Sequence, residues 1–169
     1  MLGPFDVQKL YAALDKQRHD RGLSWAVVAR EIGVSASTIR RTRIADDLEA
    51  DGMLQMVRWL GLAPESFARD RKPADPVALT GALRAAPGIL RADTRAMHAA
   101  LEGQRVALQI TWTKIATEFD VEISKARLIG LRKGGRTSAQ TLLSAARWLG
   151  RRTETLVRVD TTQLLDEAP

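Results

Sequence analysis

The stretch Leu23–Ile44, LSWAVVAREIGVSASTIRRTRI, decides how the rest of the chain is read. Ser24 is placed to cap a helix, because its hydroxyl oxygen can accept from an amide at the helix start that has no partner within the helix. Val28, Ala29 and Ile32 then recur at helical spacing and form an inward face. Gly33 supplies the left-handed conformation that stops a helix within one residue. Val34 turns inward, Ser35 caps a second helix and Ile39 anchors it from below. The outward face of that second helix carries Ser37, Thr38, Arg40, Arg41 and Arg43. A small residue at 29, glycine at 33 and an aliphatic anchor at 39 let two short helices meet closely about a tight turn.

Composition agrees with a helical chain. The 169 residues suffice for one large domain or two small ones. Aromatics are scarce, alanine, leucine and arginine are common, and runs of β-branched residues are rare, which favours an all-α protein. The absence of cysteine excludes disulfides, thiolate metal sites and cysteine nucleophiles, and fits a reducing cytoplasm. Two histidines, His19 and His98, leave little for metal or acid–base chemistry, so no cofactor is expected. No apolar run approaches membrane-spanning length, and the N-terminus lacks a secretory pattern, so the expectation is an unprocessed cytoplasmic protein with no membrane partner. The net charge of +6 suits a nucleic-acid ligand. Residues 1–75 hold 12 Lys/Arg against 11 Asp/Glu, and residues 76–169 hold 14 against 9, so the excess lies in the second half.

The chain repeats itself. A shift of 87 residues aligns Ala12, Leu14, Arg18, Trp25, Ala29, Glu31, Val34, Ser37 and Arg40 with Ala99, Leu101, Arg105, Trp112, Ala116, Glu118, Val121, Ser124 and Arg127. A shift of 89 continues with Ala50, Leu54, Arg58, Trp59, Leu60 and Gly61 against Ala139, Leu143, Arg147, Trp148, Leu149 and Gly150. All four tryptophans fall into two pairs. The alignment reads as a tandem duplication with two residues inserted near Arg132–Arg136.

Each copy reads as about five helices. In the first copy these are Asp6–Asp20, the two already described, Ala50–Leu60 closed by Gly61, and a short helix opened by Pro64. In the second they are Asp93–Glu102, Trp112–Phe119, Glu122–Leu131, Ala139–Leu149 and Glu154–Val157. The expected layout is a first domain over 1–70, a linker over 71–90, a second, diverged domain over 91–160 and a polar tail over 161–169. The linker, broken by Pro73, Pro76 and Pro87, either moves freely or packs Val77, Leu79, Leu83, Ile89 and Leu90 between the copies.

LSWAVVAREIGVSASTIRR, followed by a helix ending RWLG, resembles the phage-repressor/Cro-like (XRE-type) helix-turn-helix domains of bacteria and phages. The second copy, TWTKIATEFDVEISKARLIGLRKGGRTSAQTLLSAARWLG, resembles a diverged member of the same family. The resemblance covers both copies. It implies two tandem five-helix, lambda-repressor-like domains whose third helices enter the major groove of double-stranded DNA while the second helices cross the backbone. Carried over, it assigns base contacts to Ala36, Ser37, Thr38, Arg40 and Arg41 in the first copy, and to Ser124, Lys125 and Arg127 in the second. It assigns phosphate contacts to Ser24, Trp25 and Arg43, and to Thr111, Trp112, Arg132, Lys133 and Arg136. An arginine can donate two hydrogen bonds to a guanine edge; the bland alternative is a solvated charged face. Trp25 and Trp112 either offer an indole N–H to phosphate or pack in an interface. Trp59 and Trp148, before Leu-Gly at a helix end, read as packing residues.

The copies are unequal. Asp120 stands at the turn glycine and Ala126 at the Ile39 anchor, and Ile123 with Leu128 makes part of the second outward face apolar. That face either meets a thymine methyl or binds a protein or a second copy of the chain. The loop after the third helix is acidic in the first copy (Asp46, Asp47, Glu49, Asp51) and basic in the second (Arg132, Lys133, Arg136). Two function classes follow. One is a sequence-specific DNA-binding regulator acting as a covalent pseudo-dimer on an asymmetric site. The other is an interaction adaptor or antitoxin-like protein, favoured by the acidic loop and the apolar face. No nucleophile–base set, carboxylate pair or phosphate-cradling glycine loop points to an enzyme.

Overall fold

The computed structural model describes residues 2–72 and 75–166. In chain order, α1 spans Val7–Asp20, α2 Trp25–Ile32, α3 Ala36–Thr42 and α4 Ala50–Leu60, followed by a 3-10 turn at Pro64–Phe67. Then come α5 (Gly81–Ala85) and strand β1 (Ile89–Ala92). The second copy gives α6 (Thr94–Leu108), α7 (Trp112–Glu118), α8 (Lys125–Gly130) with a 3-10 turn at Leu131–Lys133, and α9 (Ala139–Leu149). A 3-10 turn at Thr153–Leu156, strand β2 (Val157–Asp160) and α10 (Thr162–Asp166) complete it. Among the described residues no helix is long and apolar enough to cross a membrane.

The chain is mostly helical, and the all-α expectation needs one correction. β1 and β2 form an antiparallel pair running from Ile89 opposite Asp160 to Ala92 opposite Val157. The first copy keeps only one bridge of it, Phe5 with Ala68. Strands of four residues carry too little alternation to be read from sequence. The pair also corrects the linker and tail boundaries, since Ile89 and Leu90 belong to β1 and α10 follows directly on β2. Asp160 accepts the Thr162 amide at 3.0 Å and the Arg91 guanidinium at 2.6 Å. Bonds from Thr162, then from Arg91, hold its carboxyl well below the usual carboxylate range. Of the remaining linker, Leu79 is buried and Val77 and Leu83 half-buried, with Leu62 bridged to Ala78. The segment packs. Pro73, Ala74 and residues 167–169 lie outside the described residues.

Both copies are clasped by the same bonds. Arg18 donates to Asp15 and to the Leu23 carbonyl while lying 4.9 Å from the Trp25 ring. Arg105 does the same with Glu102, the Ile110 carbonyl and Trp112. The Trp59 indole donates to Glu31 and the Trp148 indole to Glu118, each at 2.8 Å.

The inserted pair lies elsewhere than expected. Ser24 and Thr111 cap α2 and α7 and stand 87 apart, whereas Ser35 and Ser124 cap α3 and α8 and stand 89 apart. The shift therefore occurs at Glu122 and Ile123, inside the turn between α7 and α8, and not near Arg132–Arg136. Identical residues misled the alignment: Ser37 with Ser124 and Arg40 with Arg127 match at the wrong register. In the true register Leu128 replaces Ile39, and it is 0% exposed against 1%. Leu128 is thus a core anchor and does not form an outward apolar face with Ile123, which is itself half-buried. Nor does Glu122 begin a helix. The longer turn also removes the need for a left-handed residue: Gly33 has φ 85°, while Gln109 alone among the described non-glycine residues has positive φ.

The two copies share one core, in which Leu10, Ile39, Leu54 and Phe67 continue into Met97, Leu101, Leu128 and Leu142. They join around a pseudo-two-fold. Glu49 and Ser138 occupy equivalent places and form an antiparallel bridge. Gln140 bonds the backbone N–H and C=O of Phe5, and Asp51, its equivalent, accepts from the amide of Ala92, the equivalent of Phe5. Such reciprocal contacts between equivalent residues define a two-fold arrangement.

Candidate nucleic-acid interface

The geometry of the first copy's outward surface follows from the two caps and the glycine. Ser24 accepts from the Val27 amide at 3.3 Å and Ser35 from the Thr38 amide at 3.1 Å, fixing where α2 and α3 begin. Val28, Ala29, Ile32, Ile39 and Thr42 turn inward. That leaves Ser37, Arg40, Arg41 and Arg43 exposed, with Ala36 and Thr38 half-buried. The Ser35 hydroxyl bonds those of Ser37 (2.9 Å) and Thr38 (2.7 Å), which pre-orients both near the start of α3.

Three exposed arginines, Arg40, Arg41 and Arg43, fall together on this surface. Nine arginines lie within ion-pair distance of a carboxylate among the described residues, among them Arg21 with Glu31, Arg69 with Asp6, Arg91 with Asp51 and Asp160, and Arg147 with Asp70 and Asp120. No carboxylate comes within ion-pair distance of Arg40, Arg41 or Arg43 among the described residues. Three adjacent cations without counter-charges repel one another until an anion is supplied.

Second-copy positions are brought together differently. Lys125, Arg127, Arg132 and Lys133 are exposed, and among the described residues none has a carboxylate within ion-pair distance. Ser124 is the cap of α8, so its hydroxyl is committed to the Arg127 amide at 3.1 Å. At the places of Arg40 and Arg41 stand Ile129 and Gly130, and Arg132 takes the place of Arg43. Arg136 is separated from the other basic residues by an ion pair to Glu49 at 3.4 Å, an exposed pair of small energetic weight. The acidic loop is engaged inside the molecule too, because Asp47 accepts from the Gln140 amide and the Asp46 carbonyl accepts from the Gln140 side chain.

The tryptophans at the starts of α2 and α7 are half-buried. Trp25 stacks on Tyr11 with centroids 5.4 Å apart, and Trp112 on His98 at 5.1 Å. Thr111 caps α7 through the Lys114 amide. Sequence reasoning passed over Ile44, 82% exposed at the end of α3 beside Arg43. It also passed over Arg95, which donates to the Lys133 carbonyl at 3.3 Å. No periodic signal marks either residue; only the corrected alignment, which pairs Ile44 with Lys133, brings them to notice. Among the described residues no group of three His, Asp or Glu side chains could hold a metal ion.

Comparison with known proteins adds no relative: no family model matches the sequence, and no curated protein and no solved structure matches the chain.

Proposed function

We propose that the chain is a sequence-specific double-stranded DNA-binding protein, a transcriptional regulator built from two helix-turn-helix units fused as a pseudo-dimer. The observation that carries this reading is the trio Arg40, Arg41 and Arg43 on and just after α3, exposed and, among the described residues, without carboxylate partners. α3 is also the helix to which the resemblance of LSWAVVAREIGVSASTIRR assigns base contacts. A duplex supplies the missing anions through its phosphates and the acceptors through guanine edges. The pseudo-two-fold relates α3 to α8 as a dimer axis relates two recognition helices.

The two halves do different work in this reading. α3 discriminates bases with Arg40 and Arg41, whereas Ile129 and Gly130 leave α8 without that pair. Lys125, Arg127 and Arg132 then hold phosphate, so the preferred site is asymmetric. An adaptor has less to support it, since Asp47 and Glu49 of the acidic loop are engaged by the second copy and Leu128 is buried.

The test is selection from a random duplex pool, followed by polarisation titrations of the selected site at several salt concentrations. An enriched, non-palindromic sequence bound more tightly than random duplex is the expected result. Failure to bind any duplex pool at low salt overturns the proposal.

A further inference from the structure

The second copy holds a cleft of about 480 Å³ between the start of α6, the Lys133–Gly135 loop and β2. Arg95, Lys133 and Arg158 line it, one from each of those three segments. None of the three has a carboxylate partner among the described residues, and Arg95 is held only by the Lys133 carbonyl. The single carboxylate on the lining, Asp93, is committed to capping α6 through the Ala96 amide at 3.0 Å.

The duplication supplies an internal control for what those cations do. At the equivalent places the first copy has Gln8 for Arg95, Ile44 for Lys133, Asp46 for Gly135 and Arg69 for Arg158. Gln8 donates to the Ala45 carbonyl, as Arg95 does to that of Lys133 one residue earlier in register, so the loop is pinned without charge. Arg69 is engaged by Asp6 and by the carbonyls of Gly3 and Phe5, whereas Arg158 is exposed and has no side-chain partner among the described residues. The same local fold therefore forms with one neutralised cation in place of three free ones. Folding does not require the charge in the second cleft.

We propose that this cleft is a binding site for a small phosphate-bearing anion, with Arg95, Lys133 and Arg158 as its ligands. Its volume lies in the range of small-molecule sites, about 300–1,000 Å³. Three cations converging from separate segments match the three oxygens of a phosphate monoester, and arginine presents paired donors to two of them. Gly134, at φ 77°, lets the loop close on Arg95; a Cβ there would lie 3.0 Å from its Nε. Three and four residues beyond Lys133, Arg136 and Thr137 contact Glu49 and Ala50 of the first copy. The inference does not rest on the DNA reading, because its decisive measurement contains no nucleic acid.

The probe is inorganic phosphate, titrated against the full chain with chloride matching the ionic strength, and read by the shift in thermal midpoint and by phosphorus NMR. A saturable rise in midpoint with selective broadening of the phosphate signal is expected for the wild-type chain. The double variant Arg95→Gln/Lys133→Ile carries the first copy's own residues and should keep its midpoint in chloride while binding phosphate at least about tenfold more weakly. Arg158→Gln alone should give an intermediate loss. No midpoint rise beyond the chloride control, or the same rise in the double variant, overturns the proposal. A second arm titrates a random short duplex into the same proteins. If duplex binding falls in parallel with phosphate binding and saturating phosphate displaces the duplex, the cleft is a contact for DNA backbone phosphate, which also overturns a small-anion site.

Discussion

Glu49 and Ser138, equivalent residues of the two copies, face each other across an antiparallel bridge flanked by Ala50 N–H to Thr137 O (2.9 Å) and Ala139 N–H to Leu48 O (2.8 Å). The bridge places the starts of α4 and α9 side by side at the pseudo-two-fold. Each helix then reaches across with its second residue, Asp51 to Ala92 and Gln140 to Phe5. The joint is made of backbone bonds and buried polar groups, so it fixes orientation more tightly than apolar contact alone would.

Gln140 is the residue on which that joint depends most. It is 2% exposed and bonds Phe5 N–H, Phe5 C=O and the Asp46 carbonyl. Gln140→Ala leaves those backbone groups buried without partners and should cost about 3 kcal/mol. Urea unfolding followed by tryptophan fluorescence measures the loss. Ser138→Ala, which removes an N-cap, should cost about 1 kcal/mol.

On DNA, Arg40→Ala should weaken binding to the selected site by about 1–3 kcal/mol and relax one base position. Arg132→Ala should weaken all duplexes alike and lower the salt slope by about 1. Polarisation titrations of selected and scrambled duplexes separate the two. Equal losses on both duplexes for Arg40→Ala would mean that α3 does not read sequence.

The turn residues behave oppositely despite their alignment. Gly33 holds φ 85° with open space around its would-be Cβ, so Gly33→Ala meets only the backbone penalty, about 1–2 kcal/mol. Asp120→Gly gains nothing, since Asp120 is not left-handed, and glycine's extra freedom in the unfolded chain should cost about 0.5 kcal/mol. Thermal midpoints of the two variants decide the comparison.

What could be read from residues was whatever local chemistry dictates. The caps Ser24 and Ser35, the stop at Gly61, and the α4 and α9 boundaries were all legible, because capping and left-handed glycine act over a few residues. The duplication was legible from the tryptophans. The place of the insertion was not: Ala126 and Leu128 exchange inside and outside with a two-residue slip, and only burial settles which register holds. The joint was also illegible, since Gln140 and Phe5 lie far apart in sequence and carry no pattern that marks them as partners. For the candidate site, the surface of α3 could be laid out in advance, while the cleft beside Lys133 needed the β2 strand to bring Arg158 near.

Acid should loosen both clasps. Arg21, then Trp59, hold the Glu31 carboxyl below its ordinary value of 4.5, and Trp148, then Lys114, do so for Glu118. A carboxylate whose folded value is lowered contributes stability that is complete above the ordinary value and is lost as pH falls through the folded one. The urea midpoint should therefore hold steady from about pH 7 to about pH 5 and drop below about pH 4. Glu31→Gln/Glu118→Gln keeps an acceptor for each indole but cannot titrate, and its acid limb should be shallower.

Ser144 marks the place where the pseudo-symmetry fails, and its substitution should improve the protein. In the first copy Gln55 occupies the equivalent position and bonds both the N–H and the C=O of Leu90. The second copy cannot repeat this, because Gly3, the equivalent of Leu90, packs against Gln140, and a Cβ on Gly3 would overlap that side chain. The Ser144 hydroxyl, 1% exposed, is left without a hydrogen-bond partner. Burying an unsatisfied hydroxyl costs about 1–3 kcal/mol, and alanine at the same site also has the higher helix propensity. Ser144→Ala should therefore raise stability by about 1 kcal/mol, read as a higher urea midpoint with an unchanged slope. Ser144→Gln tests the same point from the other side: with Gly3 and Gln140 already filling the space, the longer side chain should destabilise, even though glutamine is the residue its symmetry mate carries.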